Sequence, residues 1–135
     1  MIRNWTVIRE VLEDVEQGRL DEKLERLADD LERAKSVSDD AETSAEKAQD
    51  RYFEHLLLAL EGGLVDGVEI KTSGAPPPWD FGTTYPRLTM QGHDMLDALR
   101  SKTIWNNVVR KASELSLPIT VELIKAVMNS IIKGI

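Results

Sequence analysis

The most reactive-looking side chains lie in the stretch RLTMQGHDMLDAL, between Arg87 and Leu99. Here His93, Asp94 and Asp97 could form a catalytic cluster or supply ligands to a metal ion. A metal site, however, requires two or more ligands at i and i+4 or across a turn, and the second histidine of the chain is distant in sequence. The chain also has no glycine-rich phosphate loop, nucleophile elbow or zincin motif. We therefore expect a structural histidine, no catalytic residues, no metal, no cofactor and no enzymatic activity.

The composition is that of an ordinary globular protein of one domain. The 135 residues are 41% hydrophobic and 30% charged, and none is a cysteine. The lack of cysteine excludes a disulfide framework, a thiolate zinc site and a cysteine nucleophile. Charges at Arg3 and Arg9 interrupt any signal-peptide core, and Lys125 and Lys133 interrupt the most apolar stretch. We expect a cytoplasmic protein with no membrane partner.

The net charge of −7 is concentrated in the first half of the chain. Residues 1–61 contain 9 Lys and Arg against 17 Asp and Glu, whereas residues 62–135 contain 8 against 7. The halves therefore carry −8 and +1. An acidic half repels nucleic-acid phosphate at long range, so charge alone argues against DNA binding by residues 1–61.

The apolar spacing of the first half predicts helices. A first helix begins after Asn4, a suitable N-cap, and ends at Gly18. Leucines at a 4-3-4 spacing follow from residue 20 to residue 31, in a heptad-like seam. Between residues 20 and 61 we favour two helices, broken at SVSDD and with Ser36 or Ser38 as the second N-cap, over one unbroken helix.

The middle of the chain predicts a β-hairpin at about residues 64–88. GLVDGVEIKTSG alternates like a strand, APPPWDFGTTYP is predicted to be a loop, and YPRL the returning strand. Thr89 is the expected N-cap of the following helix, and Gly92 allows its first turn to pack close to the hairpin. A further helix follows, and the last one is predicted to begin near Pro118.

These elements have the order of a winged-helix domain: helix, helix, long helix, two-stranded hairpin, helix. Three segments, WTVIREVL, His55 to Val65 and Arg87 to Asn106, resemble a family of unknown function, the domain of unknown function numbered twenty-five-thirteen. That family is frequent in phages, prophages and other bacterial mobile elements and has no established activity. Met90 and Met95 depart from it, since they stand where its members usually have Trp and Phe.

The predicted fold class is mainly α with a small antiparallel β-hairpin. We expect a winged helix-turn-helix-like domain over residues 1–100. A C-terminal helical extension over residues 101–135 packs on it and is a candidate oligomerisation element. The resemblance and the element order together suggest a small regulatory protein of a phage or mobile element, with double-stranded DNA as one candidate partner.

A winged helix places the N-terminal half of its third helix in the major groove of DNA. Lys47, Gln49 and Arg51 are then the candidate base-reading residues, with Lys71 and Arg87 on the wing. Residues 36–61, however, contain 2 basic and 7 acidic side chains. We therefore favour a solvated acidic helix face over a DNA-reading one.

The alternative function is a protein–protein interaction module or homodimer that uses the acidic heptad-like helix and the apolar C-terminal helix. Trp79, beside three prolines, is either an anchor for a host or phage protein or a lid over the core. Ile124, Met128 and Ile131 lie on a broad apolar face that makes either an interface or internal contacts. Arg100 could touch phosphate or pair locally with an aspartate of its own helix.

Overall fold

The computed structural model describes residues 3–72 and 79–133, with side chains to residue 131. Its described residues form six α-helices and one antiparallel hairpin, which confirms the predicted mainly helical fold. Part of the predicted hairpin tip, residues 73–78, lies outside the described residues. The elements in chain order are α1 (Trp5–Glu16), α2 (Leu20–Lys35), α3 (Asp39–Glu61), β1 (Val65–Thr72), β2 (Trp79–Leu88), α4 (Met90–Arg100), α5 (Lys102–Leu115) and α6 (Val121–Lys133). No helix in the described part of the chain has the length and apolar character needed to cross a membrane.

The predicted ends of α1 are confirmed. The Asn4 side chain accepts hydrogen bonds from the backbone N–H groups of Thr6 and Val7, which would otherwise lack partners. Gly18 follows the helix with a φ of +70°, a conformation that favours glycine. The apolar side of α1 lies in the core, where Val11 and Leu12 are completely buried.

Residues 20–61 form two helices, as favoured from the sequence. The break falls at residues 36–38, and the Ser38 hydroxyl caps α3 by accepting the N–H of Ala41 at 3.0 Å. At one end of the pair the Lys23 ammonium lies 5.4 Å from the centre of the Tyr52 ring. At the other end, a hydrogen bond to Glu32 raises the pKa of Lys35, and the charges of two α3 glutamates, Glu42 and Glu46, raise it further. Helices α2 and α3 therefore run antiparallel as a helical hairpin. The leucines of the heptad-like seam pack within the chain, since Leu20, Leu24 and Leu31 are buried and Leu27 packs against the core.

The hairpin contains a bulge that the sequence did not predict. β2 begins at Trp79, six residues before the predicted returning strand, so the loop prediction is wrong for Trp79–Thr84. Gly67 alone on β1 lies opposite Thr84–Pro86, where Tyr85 has a φ of +51°. A Cβ at Gly67 would stand 2.6 Å from the carbonyl oxygen of Thr84. The three-against-one bulge breaks the alternation of β2. The loop prediction came from the preceding prolines and from Gly82, which are turn signals.

One hydrophobic core joins the C-terminal helices to the rest of the molecule. Val108 of α5 and Ile124 of α6 are completely buried together with residues of α1, α3 and α4. The last helix begins at Val121 and not near Pro118, which corrects the predicted start. Thr120 supplies the cap, because its hydroxyl accepts the N–H of Leu123 at 3.2 Å.

Candidate functional site

The stretch with the reactive-looking side chains is a strand-to-helix junction. The Thr89 hydroxyl accepts the N–H of Gly92 at 3.0 Å and donates to the carbonyl oxygen of Gly63 at 2.5 Å, as expected of the N-cap. His93, Asp94 and Asp97 are exposed on α4. Within residues 3–72 and 79–133, no group of three or more His, Asp and Glu side chains is placed to hold a metal ion.

The predicted base-reading residues of α3 lie on different sides of the helix. Lys47 and Arg51 are exposed and one turn apart, whereas Gln49 is only 5% exposed. Two residues correspond to about 200° of rotation around a helix, so Gln49 faces the interior. Its prediction as a DNA-contacting residue is therefore wrong, because the side chain is buried.

The two predicted wing residues, Lys71 and Arg87, lie on the hairpin, away from Lys47 and Arg51. Lys71 is exposed on β1 and pairs in register with Asp80 of β2. The Arg87 guanidinium forms an ion pair with Asp66 across the hairpin, at 2.6 Å. Lys47 and Arg51 line a cleft between α1, α3 and α5, and neither Lys71 nor Arg87 is among the residues that line it.

Lys47 and Arg51 line an open cleft of about 610 Å³ at the junction of α1, α3 and α5. We call it the basic cleft and define it by Arg3, Trp5, Lys47, Arg51, His55 and Trp105. Two of these six, Lys47 and Arg51, were predicted as site residues, and His55 follows Arg51 by one turn of the same helix. Arg3, Trp5 and Trp105 come from segments about 50 residues away, so no local spacing links them to α3.

A buried histidine fixes the cleft between α1 and α3. His55 is 1% exposed, and its Nε2 accepts the backbone N–H of Asn4 at 2.9 Å. Its Nδ1 lies 2.6 Å from the carbonyl oxygen of Arg51. A carbonyl oxygen only accepts and a backbone N–H only donates, so the proton is on Nδ1 and the ring is neutral. His55 is thus a positioning residue that holds the start of α1 against α3.

Aromatic contacts join α1 to α5 on the other side of the cleft. The rings of Trp5 and Trp105 meet edge to face, with centroids 6.3 Å apart and planes at 60°. The Arg3 guanidinium lies 5.5 Å from the centre of the Trp5 ring and donates to the carbonyl oxygen of Ile119 at 3.2 Å. Arg3 is therefore held in place while its side chain stays exposed.

The charges of the basic cleft favour an anion. Among the described residues, ion pairs form at many cations but at none of Arg3, Lys47 and Arg51. Two acids also line the cleft, Asp50 and Glu54, and the Asp50 carboxylate already accepts the indole N–H of Trp79 at 2.8 Å. The N-terminal end of α1 adds the positive end of a helix dipole. The three cations and two acids of the lining give the cleft a net charge of +1, in a chain whose net charge is −7.

The predicted partner-binding residues are mostly engaged within the chain. The Trp79 ring stacks on Phe53, with centroids 5.1 Å apart and planes at 12°, in the arrangement expected of a lid over the core. Ile124 is 0% exposed, which corrects its prediction as a partner contact: the apolar face of α6 packs against α4 and α5. Met128 and Ile131 are half-buried against the same core.

Arg100 pairs with another helix instead of with its own. Its guanidinium binds Glu16 of α1 at 2.8 Å and approaches Glu13 at 3.5 Å, not Asp94 or Asp97 as the sequence suggested. A hydrogen bond from Arg100 to Glu16 raises the pKa of Arg100. The arginine therefore ties α4 to α1, and its charge is paired with acids of α1.

A buried polar cluster joins the first three helices. The Tyr52 hydroxyl donates to Asp14 at 2.6 Å, and Lys23 and Arg19 lie 3.6 and 3.5 Å from the two oxygens of the same carboxylate. Burial, with the hydrogen bond to Asp14, raises the pKa of Tyr52, which keeps its proton. The sequence signal for this cluster was an acid, Asp14, on the apolar face of α1. Its neighbours identify it as a structural cluster.

Comparison with known proteins places the chain in a family. Residues 2–118 match the family model described as "Hypothetical protein (DUF2513)". An uncharacterized protein of Haemophilus influenzae is 26% identical over 132 residues, which cover 98% of this chain and 96% of that protein. No solved structure matches significantly. The match confirms the family predicted from the three sequence motifs: this chain belongs to the DUF2513 family.

Proposed function

We propose that this chain is a non-enzymatic binding protein that holds an anionic ligand in the basic cleft. The observation that carries the proposal is the convergence of three cations, Arg3, Lys47 and Arg51, that form no ion pair among the described residues. Exposed cations are ordinary, but cations gathered on one concave site raise the local concentration of anions. The hydrogen bonds of His55 and the stacking of Arg3 on Trp5 preorganise the cleft before a ligand arrives.

The basic cleft belongs, in this proposal, to a winged-helix-like domain with a regulatory role. The order α1, α2, α3, hairpin, α4 supports a winged-helix-like domain, and a regulatory role in a phage or mobile element fits a small binding protein. Reading of duplex DNA by α3 is the weaker alternative. Gln49, one of the three predicted base-reading residues, is buried. The first turn of α3 also carries Asp39, Asp40 and Glu42, whose negative charges repel the phosphates of DNA.

The test is binding of a fluorescently labelled abasic phosphodiester oligomer at low salt, followed by anisotropy. This probe presents phosphates without bases. We expect binding by the wild-type chain and a clear loss in the double variant Lys47→Gln with Arg51→Gln. The matched control, Arg26→Gln with Lys111→Gln, removes the same charge from residues that do not line the cleft and should bind like wild type. Absence of binding, or an equal loss in both variants, would refute the proposal.

A homodimer through the C-terminal helices is a second candidate. Leu115 and Leu117 are 49% and 55% exposed at the end of α5. Leu115 lines a groove of about 380 Å³ with Leu123 and Ile131. The rest of the lining includes the charged residues Arg110, Lys111 and Glu114. Exposed leucines beside such a mixed groove are the feature that favours an interface. Light scattering at micromolar concentration decides it: a dimer mass that Leu115→Glu converts to a monomer mass supports the interface, and a monomer mass excludes it.

A further inference from the structure

We propose that the ligand of the basic cleft is a single-stranded nucleic acid whose base stacks on the indole rings while its phosphates bind Lys47 and Arg51. This rests on the proposed function and adds the chemical class of the ligand. Three features of the cleft carry it: the spacing of the cations, the aromatic rings and the size of the opening.

The cations are spaced to bind successive phosphates. Lys47 and Arg51 stand at i and i+4 on α3, and neighbouring turns of a helix lie about 5.4 Å apart along its axis. The two long side chains can therefore each reach a different phosphate of one strand. Arg3 contributes a third positive charge from the other side of the cleft.

The indole rings distinguish a nucleic acid from other polyanions. Trp5 and Trp105 line the same cleft as the cations, and both are half-buried, so part of each indole is exposed. The Arg3 guanidinium lies over the Trp5 ring, which leaves Trp105 as the main ring for a base to stack on. Proteins that bind single strands combine a basic groove with aromatic platforms, because every base has a π-face. An acidic peptide or an inorganic anion would use the cations but gain nothing from the rings.

The size of the opening favours a single strand over a duplex. A cleft of about 610 Å³ is in the range of small-molecule sites, so it accommodates an unstacked nucleotide. The bases of a duplex are stacked within the double helix, so a base must be extruded before it can enter a concave site. The half-buried Glu54 in the cleft opposes the phosphates, so its removal should strengthen binding.

The experiment compares four labelled probes of equal length: oligo-dT, oligo-U, an abasic phosphodiester and a polyglutamate peptide. We expect oligo-dT or oligo-U to bind at least about fivefold more tightly than the abasic chain, which corresponds to the lower end of one base stacking on an aromatic side chain. A preference between the two shows which of these single strands the cleft binds better, through the 2′-hydroxyl of oligo-U or the thymine methyl group of oligo-dT. Binding should also quench tryptophan fluorescence.

Two variants keep the test valid if one fails to fold. Trp105→Leu should remove the preference for bases while it leaves binding of the abasic chain unchanged, with its fold checked by circular dichroism. Glu54→Gln should bind every phosphate probe more tightly than wild type, because it removes a repelling charge from the cleft.

The possible failures are distinguishable. Equal binding of the abasic and base-bearing chains, or equal binding of polyglutamate, overturns the single-strand proposal while the anion-binding function stands. No binding of any probe overturns both. An unchanged preference in a folded Trp105→Leu variant overturns the stacking role of that ring.

Discussion

Thr89 is a residue at which one small side chain joins two elements. Its hydroxyl caps α4 through Gly92 and reaches back to the carbonyl oxygen of Gly63, beyond the end of α3. The sequence predicted the cap, since a threonine before an apolar helical pattern is a local signal. The second bond could not be predicted, because it depends on how the hairpin folds back.

Replacement of Thr89 by Ala should lower the free energy of unfolding by about 1–2 kcal/mol, the upper part of the range for lost caps, because the hydroxyl makes two bonds. Urea denaturation measures the change. Thr89→Ser keeps the hydroxyl and should retain most of the stability. Equal losses in the two variants would show that the methyl group, not the hydroxyl, matters at this position.

Gly92 is required for close packing of α4 on the hairpin. A Cβ at this position would collide with the carbonyl oxygen of Leu64 and come within 3.3 Å of the Cβ of Leu88. Gly92→Ala should therefore cost about 1–3 kcal/mol or more, as overpacked sites do. Gly82→Ala is the matched control, since a Cβ at Gly82 meets nothing within 4 Å. A small and equal effect at both glycines in thermal denaturation would contradict this packing.

At the scale of elements, the sequence predicted regular segments well and irregular ones poorly. The break at Ser38 was predictable because its cap is local. The bulge around Tyr85 was not, because it depends on Gly67 in the facing strand. The start of α6 was misplaced near Pro118 because two local start signals lie close together, and it is Thr120 that caps the helix. Sequence patterns therefore miss irregularities that depend on a distant strand, and they also misplace a boundary where local signals compete.

The ion pairs of Glu13, with Arg9 of its own helix and with Arg100 of α4, should make stability depend on pH. Hydrogen bonds and charges from Arg9 first, and then from Arg100, lower the pKa of Glu13 below its usual value of 4.5, against the opposing effect of burial. A carboxylate with a lowered pKa in the folded state stabilises the fold above 4.5, and this contribution is lost as the pH falls through the folded-state pKa.

Glu13→Gln should accordingly be less stable than wild type at pH 7, and the difference should shrink at pH values below 4.5. Thermal melts of both proteins across that range measure it. Added salt should also reduce the difference at pH 7, because the interaction is partly exposed and screened. A difference that stays constant with pH would show that the ion pairs do not stabilise the fold.

At the scale of the whole molecule, the basic cleft shows what a single sequence cannot reveal. The sequence predicted Lys47 and Arg51 as contacts to nucleic acid because of their residue types. That prediction, however, was for duplex DNA, and it included Gln49, which is buried. Their actual neighbours Arg3, Trp5 and Trp105 come from other segments of the chain and meet them through the packing of the helices, with the start of α1 fixed to α3 by the hydrogen bond from Asn4 to His55. Such a convergence leaves no local pattern.

The overall charge of −7 makes the salt dependence of binding informative. Long-range attraction of a polyanion is weak here, so the slope of log K against log salt concentration should report the local contacts. Each phosphate neutralised on a single strand contributes a slope of about −0.7. Loss of both contacts in Lys47→Gln with Arg51→Gln should therefore make the slope shallower by about 1.4.

The same measurement separates charge from stacking. Trp105→Leu should weaken the binding of oligo-dT at every salt concentration without changing the slope, because a stacked base releases no counterions. The control Arg26→Gln with Lys111→Gln should change neither the slope nor the affinity, since both residues lie outside the cleft. An unchanged slope in the Lys47 and Arg51 double variant would mean that the phosphates bind elsewhere on the molecule. A slope that falls equally in the control would mean that only the net charge matters.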